Sequence, residues 1–323
     1  MDLKKAKLIV TPTSFGKHDP SLKSFLESRV EKVVYNPTGK PLKSGELADL
    51  IADADGYIAG LDEIDAAAIS CAKKLKVISR YGVGLDNVDL EAAARQNIIV
   101  TFTPGANASA VADLAVVFML LLCRPVCQAM ELTRQGEWPR MSGFSLENKT
   151  VGLYGFGSVA KQVAKKLGGF GCRLIAYDVC LDNEYAKEFK VAFVDCDTLI
   201  KESDFLSLHV PAVKETRNIV NAEFLEKMKD GSFLINTARG ELVDEIALAE
   251  AIKSGKLAGA ALDAFQTEPP QKSNPLLNLP QVITTPHMGA HSEDATNRMG
   301  WMAVEDCLAV LKGDAPAYPV NMQ

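Results

Sequence analysis

The sequence predicts an α/β protein with two doubly wound parallel-sheet units. Three observations support this. Short β-type apolar runs alternate with helix-length amphipathic runs along the whole chain, and parallel strands need such crossovers. The rhythm breaks at Thr103-Pro104-Gly105 and restarts at Thr150. The 323 residues, at roughly 150 per domain, make about two domains.

The first series reads in order as strand Lys7–Val10, helix Leu22–Arg29, strand Lys32–Tyr35, helix Glu46–Ala54 and strand Gly56–Ala59. It continues with helix Ala66–Ala72, strand Lys76–Ser79, helix Asp89–Gln96 and strand Ile98–Thr101. A long helix, about Asn107 to Arg124, then breaks the rhythm, and another follows through Gln135. Strands of the second series are expected near Val151–Tyr154, Arg173–Tyr177, Val191–Phe193, Phe205–Leu208, Phe233–Asn236, Ala258–Leu262 and Val282–Thr284. A final helix, Asp294–Gly313, belongs to neither series by rhythm and could return to the first.

Composition narrows the class. Hydrophobic residues make up 47 % and charged residues 24 %, which excludes a disordered, collagen-like or coiled-coil chain. The net charge of −6, with no basic block, argues against nucleic acid or an anionic membrane as partner. The apolar tract Ala108–Cys123 carries Asp113 and is too short to cross a bilayer. Seven scattered cysteines without a Cys-x-x-Cys pair fit reduced thiols better than disulfides or zinc. No signal peptide is visible, so the expected location is the cytoplasm, and no metal site is expected.

The sharpest local motif is Gly155-x-Gly157-x-x-Ala160, between a β run and helix Lys161–Leu167. Gly155 permits a tight turn, Gly157 lets backbone amides approach a pyrophosphate, and Ala160 allows close helix–strand packing. The helix N-terminus offers unpaired N–H groups to a phosphate. The next strand ends at Asp178, 18 residues after Ala160. An acid there accepts from both ribose hydroxyls of NAD and repels the extra phosphate of NADP. Val179 and Cys180 add no cation for that phosphate. NAD, in preference to NADP, is the expected cofactor.

Three residues at strand exits of the second unit could carry chemistry. His287 follows Thr285-Pro286, and histidine suits proton exchange near neutral pH. Arg239, in Asn236-Thr-Ala-Arg-Gly240, could grip a carboxylate in two-pronged fashion. Glu268, beside a histidine, would favour the imidazolium and raise its pKa. From spacing alone, a salt bridge for Arg239 and Glu268 and a capping or packing role for His287 stand beside these readings. His18 reads as a solvated loop residue. His287 and His291 are four apart, but the intervening Gly289 argues against a metal pair. Trp138 and Trp301 read as packing residues.

Together these residues carry a resemblance. The motifs Arg80-Tyr-Gly-Val-Gly-Leu-Asp-Asn-Val-Asp89, Thr103-Pro-Gly-Ala-Asn107, Gly155-Phe-Gly157 and His209-Val-Pro211 occur in order. So do Ile235–Glu245, Ala261-Leu-Asp-Ala-Phe265, Glu268-Pro269 and Thr285-Pro-His-Met-Gly289. From about Leu75 to Gly313 the chain resembles the D-isomer-specific 2-hydroxyacid dehydrogenases, most of all their phosphoglycerate dehydrogenase-like branch.

The resemblance implies two Rossmann-like doubly wound domains. The substrate domain would be flavodoxin-like and discontinuous, residues 1–103 and 294–323. An NAD-binding Rossmann domain, 104–293, would be inserted between, with the active site in the cleft and hinges near Thr103 and His291. Arg239 would hold the substrate carboxylate and keto oxygen, His287 would be the acid/base, and Glu268 its partner. Ser158 and Val159 would contact the pyrophosphate, and Asp178 the ribose. Asp263 would lie near the nicotinamide carboxamide. His209, Val210, Pro211, Thr216, Thr237, Ala238 and Gly289 would complete the cofactor contacts, with Arg239 and His287. The Gly82-Val83-Gly84 loop would offer amides to the substrate carboxylate, with Arg80 close by.

The implied reaction interconverts a D-2-hydroxy acid and its 2-keto acid with NAD. Candidate pairs are 3-phosphoglycerate with phosphohydroxypyruvate, or hydroxypyruvate and glyoxylate with their alcohols. The stretch Tyr57–Asp62 lacks the arginine that phosphoglycerate dehydrogenases often carry there, which weighs against a phosphorylated substrate. Glu268 separates the chain from formate dehydrogenases, which carry Gln at the matching place. A homodimer through the 107–124 helix is expected. With ten residues after Gly313, no C-terminal regulatory domain is expected. An NAD-sensing, non-enzymatic protein resembling the C-terminal-binding corepressors is the alternative.

Overall fold

The computed structural model describes residues 2–320. Met1 and residues 321–323, at the ends of the expected discontinuous domain, lie outside the described residues. The described chain divides into two compact units: residues 2–107 with 291–320, and residues 108–290.

The first unit holds strands β1 (Lys7–Val10), β2 (Lys32–Tyr35), β3 (Gly56–Ala59), β4 (Val77–Arg80) and β5 (Ile99–Thr101). All pairs are parallel, in the order β2-β1-β3-β4-β5. This is the flavodoxin-like order, with a topological switch point between β1 and β3. Central strands β3 and β4 are buried throughout, as strands covered on both faces must be. Helices α1 (Pro20–Arg29), α2 (Ser44–Ile51), α3 (Ala66–Cys71) and α4 (Leu90–Arg95) connect them. Asp19, Asp65 and Asp89 each accept from a first-turn amide of the helix they precede. The C-terminal helix Glu293–Lys312 joins this sheet. Ser79 Oγ donates to Ala303 O and Tyr81 OH to Thr296 O, both at 2.8 Å. Gly56 leaves room for that helix: a Cβ there would stand 3.0 Å from Cys307 Sγ.

The second unit begins with α5 (Ala108–Cys123) and α6 (Val126–Arg134). Strands β6 (Thr150–Tyr154), β7 (Arg173–Tyr177), β8 (Val191–Phe193), β9 (Phe205–Leu208), β10 (Ser232–Asn236), β11 (Leu257–Leu262) and β12 (Val282–Thr284) follow. They form one parallel sheet ordered β12-β11-β10-β9-β6-β7-β8. Order reverses between β6 and β9, the dinucleotide-fold switch point. Helices α7 (Ser158–Leu167), α8 (Asn183–Glu188), α9 (Cys196–Glu202), α10 (Ala222–Lys227) and α11 (Glu245–Lys253) cover the faces. One core layer joins Ala112, Ala115 and Phe118 of α5 to Ala160 and Val163 of α7 over Val151 and Leu153. The other packs Leu199, Phe224 and Leu248 over Leu206 and Leu234.

Helix starts differ from the sequence reading where caps decide them. The helix after the glycine loop starts at Ser158, three residues early, because Gly157 is itself the N-cap. The first helix starts at Pro20, whose fixed φ suits a first turn after the Asp19 cap. Among the described residues no single helix is long and apolar enough to cross a membrane.

Candidate active site

The cofactor end is built at the switch point of the second unit. Gly155 has φ +93°, and a Cβ there would meet the His209 backbone at 2.9 Å, so only glycine fits this turn. Nothing lies within 4 Å of a Cβ at Gly157, and no side chain caps helix α7. Exposed Gly157 and Ser158, with half-buried Val159, leave an open N-terminus with unpaired amides, the arrangement that suits a pyrophosphate. At the end of β7, Asp178 accepts from Phe156 N at 2.5 Å and from Cys180 N at 2.8 Å. These two amides fix the carboxylate beside the glycine turn.

His209 and Thr237 leave β9 and β10 one residue past the paired positions Leu208 and Asn236. Among the described residues, buried His209 Nε2 and Thr237 Oγ1 have no hydrogen-bond partner. Burial pushes the His209 imidazole down to about 3, so it is neutral at working pH. Thr216 Oγ1 donates to Pro211 O at 2.6 Å and accepts from Val213 N at 2.9 Å, closing the loop after Val210. The glycine cradle, the anchored Asp178 and two orphaned polar atoms fit a nicotinamide dinucleotide.

The candidate chemistry residues lie at the exits of β10, β11 and β12. Arg239 follows β10, and its Nη1 donates to Ala238 O at 2.8 Å. Gly240 is obligatory, because a Cβ there would overlap the Phe265 carbonyl. Past β11, Glu268 Oε1 accepts from Phe265 N at 3.0 Å. His287 follows β12, and its Nδ1 stands 2.8 and 2.9 Å from the two Glu268 oxygens. A carboxylate accepts only, so Nδ1 carries the proton and Nε2 is left for exchange.

The Glu268 hydrogen bond is the main influence on His287. It raises the imidazole above its ordinary pKa, against an opposing effect of burial. Burial pulls Glu268 upward, but the hydrogen bonds from His287 and Phe265 and the charges of His287 and Arg239 hold its carboxyl below the usual range.

Asp263, expected near the nicotinamide carboxamide, follows β11 and braces the turn after β12. It is 2 % exposed and faces the turn that carries His287. It accepts from Thr285 Oγ1, from Met288 N at 2.8 Å and from Gly289 N at 2.8 Å. His287 sits inside this bracket at φ +50°, unusual for a non-glycine residue. Residue types alone could not reveal this, since the partners lie 22 to 26 residues away in sequence.

In the first unit, Gly82, Val83 and Gly84 follow β4, and Arg80 ends that strand. Arg80 is 4 % exposed. Its Nη1 donates to Ala59 O and Tyr81 O, and its Nε to Asn87 Oδ1, each at 3.2 Å. A groove of about 450 Å³ runs between the Pro41–Lys43 and Leu61–Asp65 segments and Asp86–Asp89. Carboxylates outnumber Lys43 along it, which disfavours an anionic occupant.

Fold and site together define a dinucleotide-binding α/β protein with a paired histidine and carboxylate at its strand exits. Residues 116–289 match the family model "D-isomer specific 2-hydroxyacid dehydrogenase, NAD binding domain". A hydroxypyruvate reductase of Thermotoga maritima is 41 % identical over 293 residues, 89 % of this chain and 95 % of that protein. A D-3-phosphoglycerate dehydrogenase of Archaeoglobus fulgidus is 42 % identical over 262 residues, covering 80 % of this chain but 50 % of that protein. The chain thus spans about half the length of that relative. The solved structure of the TT0316 protein of Thermus thermophilus superposes with a TM-score of 0.85 and 37 % identity, covering 98 % of this chain and all of that one. The chain belongs to the D-isomer specific 2-hydroxyacid dehydrogenase family, and its second unit carries the family's NAD-binding domain.

Proposed function

We propose that the protein is an NAD-dependent oxidoreductase interconverting a D-2-hydroxy acid and its 2-keto acid. The observation that carries this is the His287–Glu268 pair at 2.8 Å, set beside Arg239. When bound, NAD takes or supplies the hydride. In reduction His287 gives its Nε2 proton to the keto oxygen, while Glu268 stabilises the charged ring that donates it. Arg239 holds the carboxylate and neutralises the developing oxyanion. In oxidation His287 takes the proton back. Asp263 keeps the His287 turn in place.

In the first unit, the Gly82–Gly84 amides receive the substrate carboxylate, with the Arg80 charge beneath them. In the second, Gly155, Gly157, Ser158 and Val159 hold the pyrophosphate. His209, Val210, Pro211, Thr216, Thr237, Ala238 and Gly289 line the cofactor. Asp178 selects NAD over NADP, because its anchored carboxylate repels a 2′-phosphate. The chain is read as a cytoplasmic homodimer joined through α5, whose Val117 and Leu120 are 45 % and 36 % exposed. Leu120→Asp should then yield monomers in sedimentation.

The test is NADH oxidation with glyoxylate, pyruvate, hydroxypyruvate, phosphohydroxypyruvate and branched 2-keto acids. Turnover of at least one supports the reading. NADH binding without turnover of any would overturn it in favour of a cofactor-sensing protein.

A further inference from the structure

Strands β1 and β3 flank the switch point of the first unit, and their exits meet in a buried polar network. Asp62 is 1 % exposed, yet four donors satisfy its carboxylate. Leu42 N donates at 2.8 Å, Tyr57 OH at 2.7 Å and Gly60 N at 3.2 Å, and Thr11 Oγ1 also donates. A buried carboxylate so fully matched fixes the loop that bears it. The loop after β3 is therefore held from beneath by Asp62.

One side chain links this loop to the neighbouring one. Asn87 Nδ2 donates to Asp62 O at 2.7 Å and to Gly60 O at 3.3 Å. Its Oδ1 accepts from Arg80 Nε at 3.2 Å. The Arg80 guanidinium packs under Gly82, where a Cβ would stand 3.3 Å from Nη1. The path is continuous: Gly82–Gly84 loop, Arg80, Asn87, Gly60–Asp62 loop, Asp62 carboxylate. The amide geometry of Asn87 is what the junction needs, one acceptor for a guanidinium and two donors for carbonyls.

We propose that Asn87 is a positioning residue for substrate recognition, coupling the Arg80–Gly84 loop to the Gly60–Asp62 loop. The proposal rests on the reading that the Gly82–Gly84 amides receive the substrate carboxylate. Asn87 touches no reacting atom; it sets where the receiving amides and the Arg80 charge stand.

The test is Asn87→Ala and Asn87→Asp, with glyoxylate and hydroxypyruvate as substrates and oxalate as an unreactive carboxylate probe. Both variants keep the backbone bond from Ile64 N to Asn87 O at 3.0 Å. Asn87→Asp retains the acceptor for Arg80 and loses the donors to the Gly60 and Asp62 carbonyls. Losing one side of a partly buried hydrogen-bonded pair should raise the keto-acid KM and the oxalate Ki about tenfold. The NADH Kd and kcat should stay within about twofold. An unchanged KM and Ki in either folded variant overturns the proposal, as does a uniform fall of kcat, NADH affinity and melting temperature. Failure of the functional reading is distinct: the unsubstituted protein would then turn over neither substrate.

Discussion

Substitution Glu268→Gln separates the charge of that residue from its shape. Gln keeps an oxygen to accept from Phe265 N or from the ring, but it cannot stabilise an imidazolium by charge. The Nδ1–carboxylate distance is 2.8 Å. At that distance a unit charge pair is worth about 6 kcal/mol at an effective dielectric of 20 and about 1.5 kcal/mol at 80. The two side chains are 35 % and 38 % exposed, so the screened end of that range applies. A loss of about 1.5 kcal/mol is roughly tenfold. Glu268 raises the His287 pKa, so its loss moves the alkaline fall-off of keto-acid reduction to lower pH. Reduction by the variant should match the unsubstituted protein in acid, where the ring is protonated in both, and fall about tenfold behind at alkaline pH. The oxidative reaction, which needs neutral His287, should suffer less. Initial rates in both directions across pH are the assay. A loss that is the same at every pH would refute the argument and leave Glu268 with an orienting role alone.

Four further outcomes are expected. His287→Ala should cut turnover by about 10²- to 10⁴-fold and leave the NADH Kd from fluorescence titration unchanged. Asp178→Ala should lower kcat/KM for NAD about tenfold through the lost charged acceptor, and raise the NADP to NAD ratio. Gly240→Ala forces a Cβ into the Phe265 carbonyl, so unfolding should show a loss of about 1–3 kcal/mol with activity falling in step. The folded state lowers the Glu268 pKa and raises that of His287. Their stabilising contribution is complete between the unfolded values, about 4.3 and 6.5. It fades as pH falls through the lowered Glu268 pKa or rises through the raised His287 pKa. The melting-temperature difference from Glu268→Gln should therefore be largest in weak acid.

Strands were the most legible elements because their signal is local. Runs such as Leu8-Ile9-Val10 and Phe205-Leu206 are short, apolar and bounded by turn residues, as strands buried on both faces must be. Helix boundaries depend on caps. Gly157 reads as part of a motif, yet in the fold it is the residue from which α7 starts. Short helices such as α9 and α10 carry too few turns for a periodic signal, and their existence rests on packing against β6, β7 and each other. At the candidate site, the positions of Arg239, Glu268 and His287 after β10, β11 and β12 were legible, because strand exits of a parallel sheet face one way. The Glu268–His287 contact was expected too, but the long-range hydrogen bonds that brace the surrounding turns and loops were not. Asp263 meets the His287 turn across 25 residues, and Asn87 meets Gly60 across 27. Such pairs exist only once the sheet order is set.

The return of the C-terminal helix also orders events during synthesis. Residues 108–290 form a compact unit from one continuous stretch, so that sheet can close as soon as its last strand leaves the ribosome. The first unit waits. Its strands β1 to β5 emerge first, but the helix that receives the Ser79 and Tyr81 hydroxyls comes after residue 290. The part of the five-stranded sheet that this helix covers, beside α1, therefore stays open to water while nearly two hundred residues are translated. An apolar sheet face left bare for that interval is a natural target for chaperones and for aggregation. Core substitutions on the inner face of Glu293–Lys312, such as Cys307 or Val304, should thus reduce soluble yield more than they reduce the stability of protein that has already folded.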